Sequence, residues 1–259
     1  MNTTPPFTVR IWDLPTRLFH WVLAACVLGL IVTGNIGGNA MVWHFRLGYA
    51  VFSLLLFRGV WGFIGGHWSR WSSLPLSLNS VQRYLQGRAH ASQVAGHNPL
   101  GSWSVLALLF FLSLQVATGL FSDDEIANMG PLSSLASGTW VSLATNWHKH
   151  WGKLILILLV LLHLVAIAWY SWRKRQALVA AMWHGDKVLP EAVTASEDVA
   201  STRWRAAVCL LLACGIVAFV LSWGSCAHTR ATYAWPACGV CRYTLLSFTF
   251  CFDLGHAIC

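Results

Sequence analysis

Two histidines, His148 and His163, stand fifteen residues apart inside one strongly apolar run, WHKHWGKLILILLVLLHLVAIAWY. On an α-helix fifteen residues rise about 22 Å and turn about 60° past four full turns. Both imidazoles then fall on roughly one face, one near each boundary of a hydrocarbon layer about 30 Å thick. An ionisable side chain at membrane depth is costly and marks a functional site by default. A neutral imidazole offers one lone-pair nitrogen to a metal. Two of them facing the interior of a helical bundle imply two haems, one above the other.

The elements that must position them are membrane helices. Of 259 residues, 56% are hydrophobic and 10% charged, and 16 are Trp, which excludes an ordinary soluble domain. The net charge of +8 could suggest nucleic acid, but the bases flank apolar stretches and read as topology signals, so no nucleic-acid partner is expected. The expected fold class is all-α, a polytopic transmembrane helical bundle with a four-helix haem-binding core and a fifth span. Spans are expected at about Leu18–Ile36, Val42–Ile64, Leu100–Phe121, Trp147–Trp172 and Ala206–Trp223. Asn98 is placed to cap the third and Pro99 to start it. Residues 1–190 form the core domain, 191–223 a linker with the fifth span, and 224–259 an atypical tail.

Arg10 and Arg17 precede span one, Arg70, Arg83 and Arg88 follow span two, and Arg173, Lys174, Arg175 and Lys187 follow span four. Asp123, Asp124 and Glu125 lie between spans three and four. The expected orientation has the N-terminus in the cytoplasm and the acidic loop outside. No small-residue cleavage site follows the first apolar stretch, which is therefore read as a span and not as a signal peptide. On this topology His20 and His163 lie at the inner level and His44 and His148 at the outer level. Each pair comes from two helices, as bis-histidine ligation of a haem between helices requires.

Gly48 and Gly152 each follow an outer histidine by four residues, where a missing side chain would admit a flat macrocycle. Ordinary glycine packing between membrane helices is the alternative. Arg58, fourteen residues after His44, falls on the same face at the inner level. Its guanidinium fork suits an inner-haem propionate, the alternative being an arginine that snorkels to the interface. Arg17 is a second candidate for that propionate, and Lys149 and Lys153 are candidates at the outer site. His150 is about 220° away from His163 around the helix and replaces His148 only where that helix begins irregularly. His67, His90 and His184 are expected to be solvated. His97 sits just before span three, where a quinone ring could dock or where it simply orients the loop.

The runs VRIWDLPTRLFHW at 9–21, WHFRLGYAVFSLLLFRGVWGF at 43–63, GHNPLG at 96–101 and GLFSDDE at 119–125, with the WHK…H pair of span four, resemble the bacterial di-haem cytochromes b of the cytochrome b-561 type. That group is related to the b-type cytochrome subunit of nickel–iron hydrogenases. The resemblance covers about residues 7–190. It implies two non-covalent b-type haems held by His20, His44, His148 and His163, the four that topology alone selects. It also implies a bacterial inner membrane and electron transfer between the quinone pool and a periplasmic partner such as a c-type cytochrome; a homodimer is compatible with it. One departure stands out. The family pattern has fourteen residues between the span-four histidines and this chain has fifteen, an excess that either a π-bulge absorbs or a displaced outer ligand reflects.

The tail falls outside the resemblance. Seven of eight cysteines lie from Cys209 onward, and Cys238-Gly-Val-Cys241 is followed by Arg242, not by the histidine that covalent haem attachment needs. No role is expected for it. Bis-histidine ligation leaves no open site for oxygen or substrate, so an electron carrier fits better than an oxygenase. The acidic cluster could dock a basic redox partner or be a solvated loop. Two other readings stand: a membrane anchor and electron-relay subunit of a larger hydrogenase or dehydrogenase complex, and a haem-free, histidine-dependent cation transporter. The absence of Asp or Glu from the centre of any span weighs against the transporter.

Overall fold

In the computed structural model, residues 7–88, 94–125 and 127–232 are described. Five helices are long and apolar enough to cross a membrane. They are α1 (Leu14–Ile36), α2 (Met41–Ile64), α4 (Pro99–Phe121), the continuous rod made of α5 (Gly138–Asn146), a π-helical segment (Trp147–Gly152) and α6 (Lys153–Arg173), and α8 (Ala200–Thr232). Short helices α3 (Leu78–Leu85) and α7 (Leu178–His184) and strands β1 (Phe7–Arg10) and β2 (Asp186–Leu189) gather at the end that carries the N-terminus, here the near end. The bundle is the one expected, with differences in extent: α1 starts at Leu14, and α8 runs past Trp223 to Thr232, into the segment read as tail. The fourth span begins at Gly138, well before Trp147, and the fifth helix begins at Ala200, before Ala206. Both extensions are polar enough to miss a hydropathy reading yet continue the helical ladder. The cysteines from Cys238 onward lie outside the described residues.

Helix starts follow local chemistry. The Asp13 carboxylate accepts from Thr16 N at 2.8 Å, with Pro15 in the first turn of α1. Asn98 Oδ1 accepts from Gly101 N at 2.7 Å and Pro99 opens α4, as the sequence indicates. Asp13 is fully buried and does more than cap: it also accepts from Gly66 N at 3.0 Å and Ser69 Oγ at 2.9 Å, tying the start of α1 to the loop after α2. At the far end α1 stops at Gly37, whose φ of 67° reverses the chain within a few residues.

α1 packs on α2, α4 on α6, and α2 also on α8 and α4. Between the two levels of histidines, Cys26, Val51, Leu112 and Leu156, one from each core helix, make a buried apolar layer. The outer faces stay apolar and uncovered, Phe63 being 75% and Trp172 84% exposed. Such surface on a free molecule belongs against lipid. The near end is closed by a feature absent from the sequence reading, the antiparallel pairing of β1 with β2, in which Phe7 faces Leu189 and Arg10 faces Asp186. Arg10 bonds Asp186 at 2.6 Å and Asp198 at 3.0 Å. Burial works to raise the Asp198 carboxyl, but its hydrogen bond and charge interaction with Arg203, helped by Arg10, hold it below the usual carboxylate range.

Candidate functional site

At the far end His44 on α2 and His148 on the fourth rod come ring to ring, with centroids 6.1 Å apart and planes at 89°. A metal–nitrogen bond of about 2.0 Å on each side, with the ring radius added, puts two axial imidazoles roughly 6 Å apart, centre to centre. The second nitrogen of each ring is already committed. His44 Nδ1 lies 3.1 Å from the Leu30 carbonyl, and His148 Nδ1 lies 2.9 Å from the Gln115 carbonyl. A carbonyl only accepts, so each Nδ1 carries the proton and each Nε2 keeps its lone pair for a metal.

The two halves are built alike. Leu30 precedes Gly34 by four residues on α1, and Gln115 precedes Gly119 by four on α4. Each imidazole lies over that glycine. A Cβ on Gly34 would stand 3.0 Å from His44 Cε1, and one on Gly119 would stand 2.8 Å from His148 Cε1. The glycines let the rings reach the backbone carbonyl one turn earlier. The sequence reading missed both. The signal that could have found them is a glycine in each facing helix at the same depth as the histidine.

Around this pair lies a cavity of about 520 Å³ lined by both histidines, Gly34, Gly48, Gly119 and an apolar wall that includes Leu112 and Leu156. That size and character suit a flat apolar cofactor. Of the two glycines singled out in sequence, Gly48 borders this space with nothing within 4 Å of an added Cβ. Gly152 does not: it faces Gln115 and Trp147 and serves helix packing. Lys149, Lys153 and exposed His150 also line the cavity. His148 itself falls in the π-helical segment Trp147–Gly152. A π turn takes up one extra residue and brings a fifteen-residue separation back to the angle of about fourteen α-helical residues. Next to the cavity, a polar cleft of about 530 Å³ is lined by Asp123, Glu125, Thr145, Asn146, Lys149 and His150. Asp124 turns away from it to accept from Asn128 N at 2.8 Å and Asn128 Nδ2 at 2.7 Å.

At the near end His20 on α1 and His163 on α6 are electrostatic neighbours, and His97 feels both of them as well as Arg58 and Lys187. Several polar atoms here are buried without a partner: His20 Nδ1, Arg58 Nη1 and His97 Nδ1. Arg58 is only 5% exposed and does not snorkel; its guanidinium stacks on the Trp71 ring at 4.1 Å. A buried cation and imidazole nitrogens left without partners are what a bound group carrying acidic substituents would satisfy. Arg17 points elsewhere, donating to the Trp183 carbonyl at 2.6 Å and pairing loosely with Asp198 at 3.8 Å. His97 packs on Trp12 with centroids 4.7 Å apart. Burial, then the charges of Arg58 and Lys187, push its pKa down to about 3, so it is neutral at pH 7. His67 and His184 are exposed, as expected; His90 lies outside the described residues.

A membrane bundle with paired histidines facing glycine-backed space defines a b-type cytochrome, and the comparisons agree. The model of the prokaryotic cytochrome b561 family matches residues 11–185, and the chain belongs to that family. It is 23% identical over 70% of its length, and 86% of the relative's, to a probable Ni/Fe-hydrogenase B-type cytochrome subunit of Bradyrhizobium diazoefficiens. The probable counterparts of Cupriavidus necator and Azotobacter vinelandii are 26% and 27% identical, with 68% of this chain and 85% and 87% of theirs covered. No solved structure matches. The protein is thus a multi-pass bacterial membrane cytochrome that binds b-type haem, transfers electrons across or along the membrane and has a redox partner.

Proposed function

We propose that this cytochrome holds two b-type haems, one between His44 and His148 and one between His20 and His163, and passes electrons between the quinone pool and a periplasmic partner such as a c-type cytochrome. The observation that carries the reading is the far-end pair, two imidazoles 6.1 Å apart with both Nδ1 atoms tied to backbone carbonyls. When bound, haem supplies a one-electron couple at its iron. The chain's residues do the rest. The four histidines would hold the two haems and leave no ligand position for oxygen or substrate. Arg58, with Nη1 buried and unpartnered, would meet a propionate of the near-end haem; Arg17 is held through its Nη atoms by the Trp183 carbonyl and Asp198. Cys26, Val51, Leu112 and Leu156 keep water out of the space between the sites.

The basic loops favour a cytoplasmic near end, with Asp123 and Glu125 on the outer side. Those carboxylates edge the polar cleft beside the far-end site, where a basic partner would be steered by charge. His97, neutral and with Nδ1 unpartnered, suits a hydrogen bond to a quinone at the cytoplasmic end better than it suits the role of base. The names of the relatives favour a second reading of the partner: an anchor and relay subunit for a hydrogenase. The test is haem content per polypeptide with a reduced-minus-oxidised spectrum. Two six-coordinate low-spin b-type haems support the four-histidine reading. One haem removes one of the pairs, and none after expression with adequate haem overturns the four-histidine reading. Co-purification with a dehydrogenase separates the relay subunit from the free-standing carrier.

A further inference from the structure

Gln115 is a polar residue in the second half of α4, a helix otherwise apolar from Val105 to Val116 save Ser113. Such a residue at membrane depth needs a partner. It has two contacts with one residue. Its backbone carbonyl takes the proton of His148 Nδ1 at 2.9 Å, and its side-chain Nε2 donates to the His148 carbonyl at 2.8 Å. The second bond falls where it is most needed. His148 sits in the π-helical segment, where pairing shifts from i→i+4 to i→i+5. Gly152 leaves room for this arrangement, since a Cβ there would collide with Gln115 Oε1 and stand 2.7 Å from Trp147 Nε1. Backbone and side chain of one residue therefore grip both ends of His148, its ring and its main chain.

We propose that Gln115 is a positioning residue for the far-end haem: it holds the π turn in register and so fixes the direction of the His148 lone pair. The proposal rests on the reading of His148 as an axial ligand. It explains how the extra residue of the fourth span is accommodated at the very turn where the ligand sits.

The test uses the full-length protein in detergent with both haems loaded. Gln115→Met keeps the length and shape of the side chain and removes the donor, so a packing role survives it and a positioning role does not. Far-end haem affinity is expected to fall about 10–100-fold, the usual cost of losing a partner of a metal ligand. Its low-spin EPR signal and midpoint potential should shift while the near-end haem keeps its own, which also reports correct folding. Should the Met variant fail to accumulate, Gln115→Leu removes the same donor with a smaller apolar side chain. Unchanged affinity, EPR signal and potential at the far-end haem in either variant overturn the proposal. His148→Ala, measured alongside, separates the two failures: if it leaves the far-end haem intact, the ligand assignment itself falls.

Discussion

His44 and His148 meet with their ring planes at 89°, each turned by the carbonyl its Nδ1 holds. Perpendicular axial imidazoles leave the two iron d orbitals that they perturb nearly equal in energy, which makes the low-spin ferric signal strongly anisotropic. The far-end haem should therefore give a low-field, highly anisotropic EPR feature. That feature should vanish in His44→Ala and His148→Ala and persist in His150→Ala. Its persistence in His148→Ala and loss in His150→Ala would transfer the ligand role to His150.

Gly119 offers a sharper probe than the ligands because it removes nothing. A Cβ there would stand 2.8 Å from His148 Cε1, against helix backbone that cannot retreat, so the ring must move. Gly119→Ala should cost about 1–3 kcal/mol in far-end haem binding, read as lost haem content with the near-end haem retained. Gly34→Ala, with 3.0 Å to His44 Cε1, should do the same more mildly. Gly48→Ala meets nothing within 4 Å in the protein itself, so any loss it causes reports contact with the cofactor alone.

Arg58 gives opposite outcomes with and without haem. It is 5% exposed, stacked on Trp71, and has a buried Nη1 with no partner. The one acid whose charge it feels is Asp13, already engaged by Thr16, Gly66 and Ser69, so the buried cation is costly without haem, whereas breaking a buried ion pair costs about 3–5 kcal/mol. Arg58→Met should therefore raise the unfolding temperature of haem-depleted protein and weaken near-end haem retention in loaded protein. Loss of a positive charge beside the near-end haem should also lower its midpoint potential. Destabilisation of the depleted protein alone would mark Arg58 as a structural residue.

The histidine levels are legible in the sequence because spacing on a helix converts directly into angle and depth, whereas the π turn is one of two ways of taking up a residue that the family pattern lacks. Gly34, Gly119 and Gln115 are not, because their meaning comes from a ring on a different helix. Gly152 shows the converse: its i+4 spacing from His148 is right, but the π turn rotates it away from the cavity and onto Gln115. The β1–β2 pairing joins strands nearly the length of the core domain apart, and four-residue strands carry too little periodicity to announce a partner. Asp13 caps α1, and only the fold shows that the same carboxylate also holds Gly66 and Ser69.

The near-end cap should carry an acid sensitivity that belongs to His97. Burial, helped by Arg58 and Lys187, puts its pKa at about 3 in the folded protein against 6.5 when unfolded. The unfolded chain therefore takes up the proton first as pH falls. His97's contribution is complete above about pH 6.5 and is lost progressively down to about pH 3. Asp198, held below its ordinary value, has the same sign but acts only near and below pH 3.8. Thermal unfolding followed from pH 7 to pH 4 in the full-length protein should show a midpoint that drops with acid. His97→Gln, which cannot take a proton, should flatten that slope across the upper part of the range, where Asp198 contributes little. Equal slopes for the two proteins would mean that the Trp12 and Lys187 side of the cap opens to water, so that His97 titrates as it does in the unfolded chain.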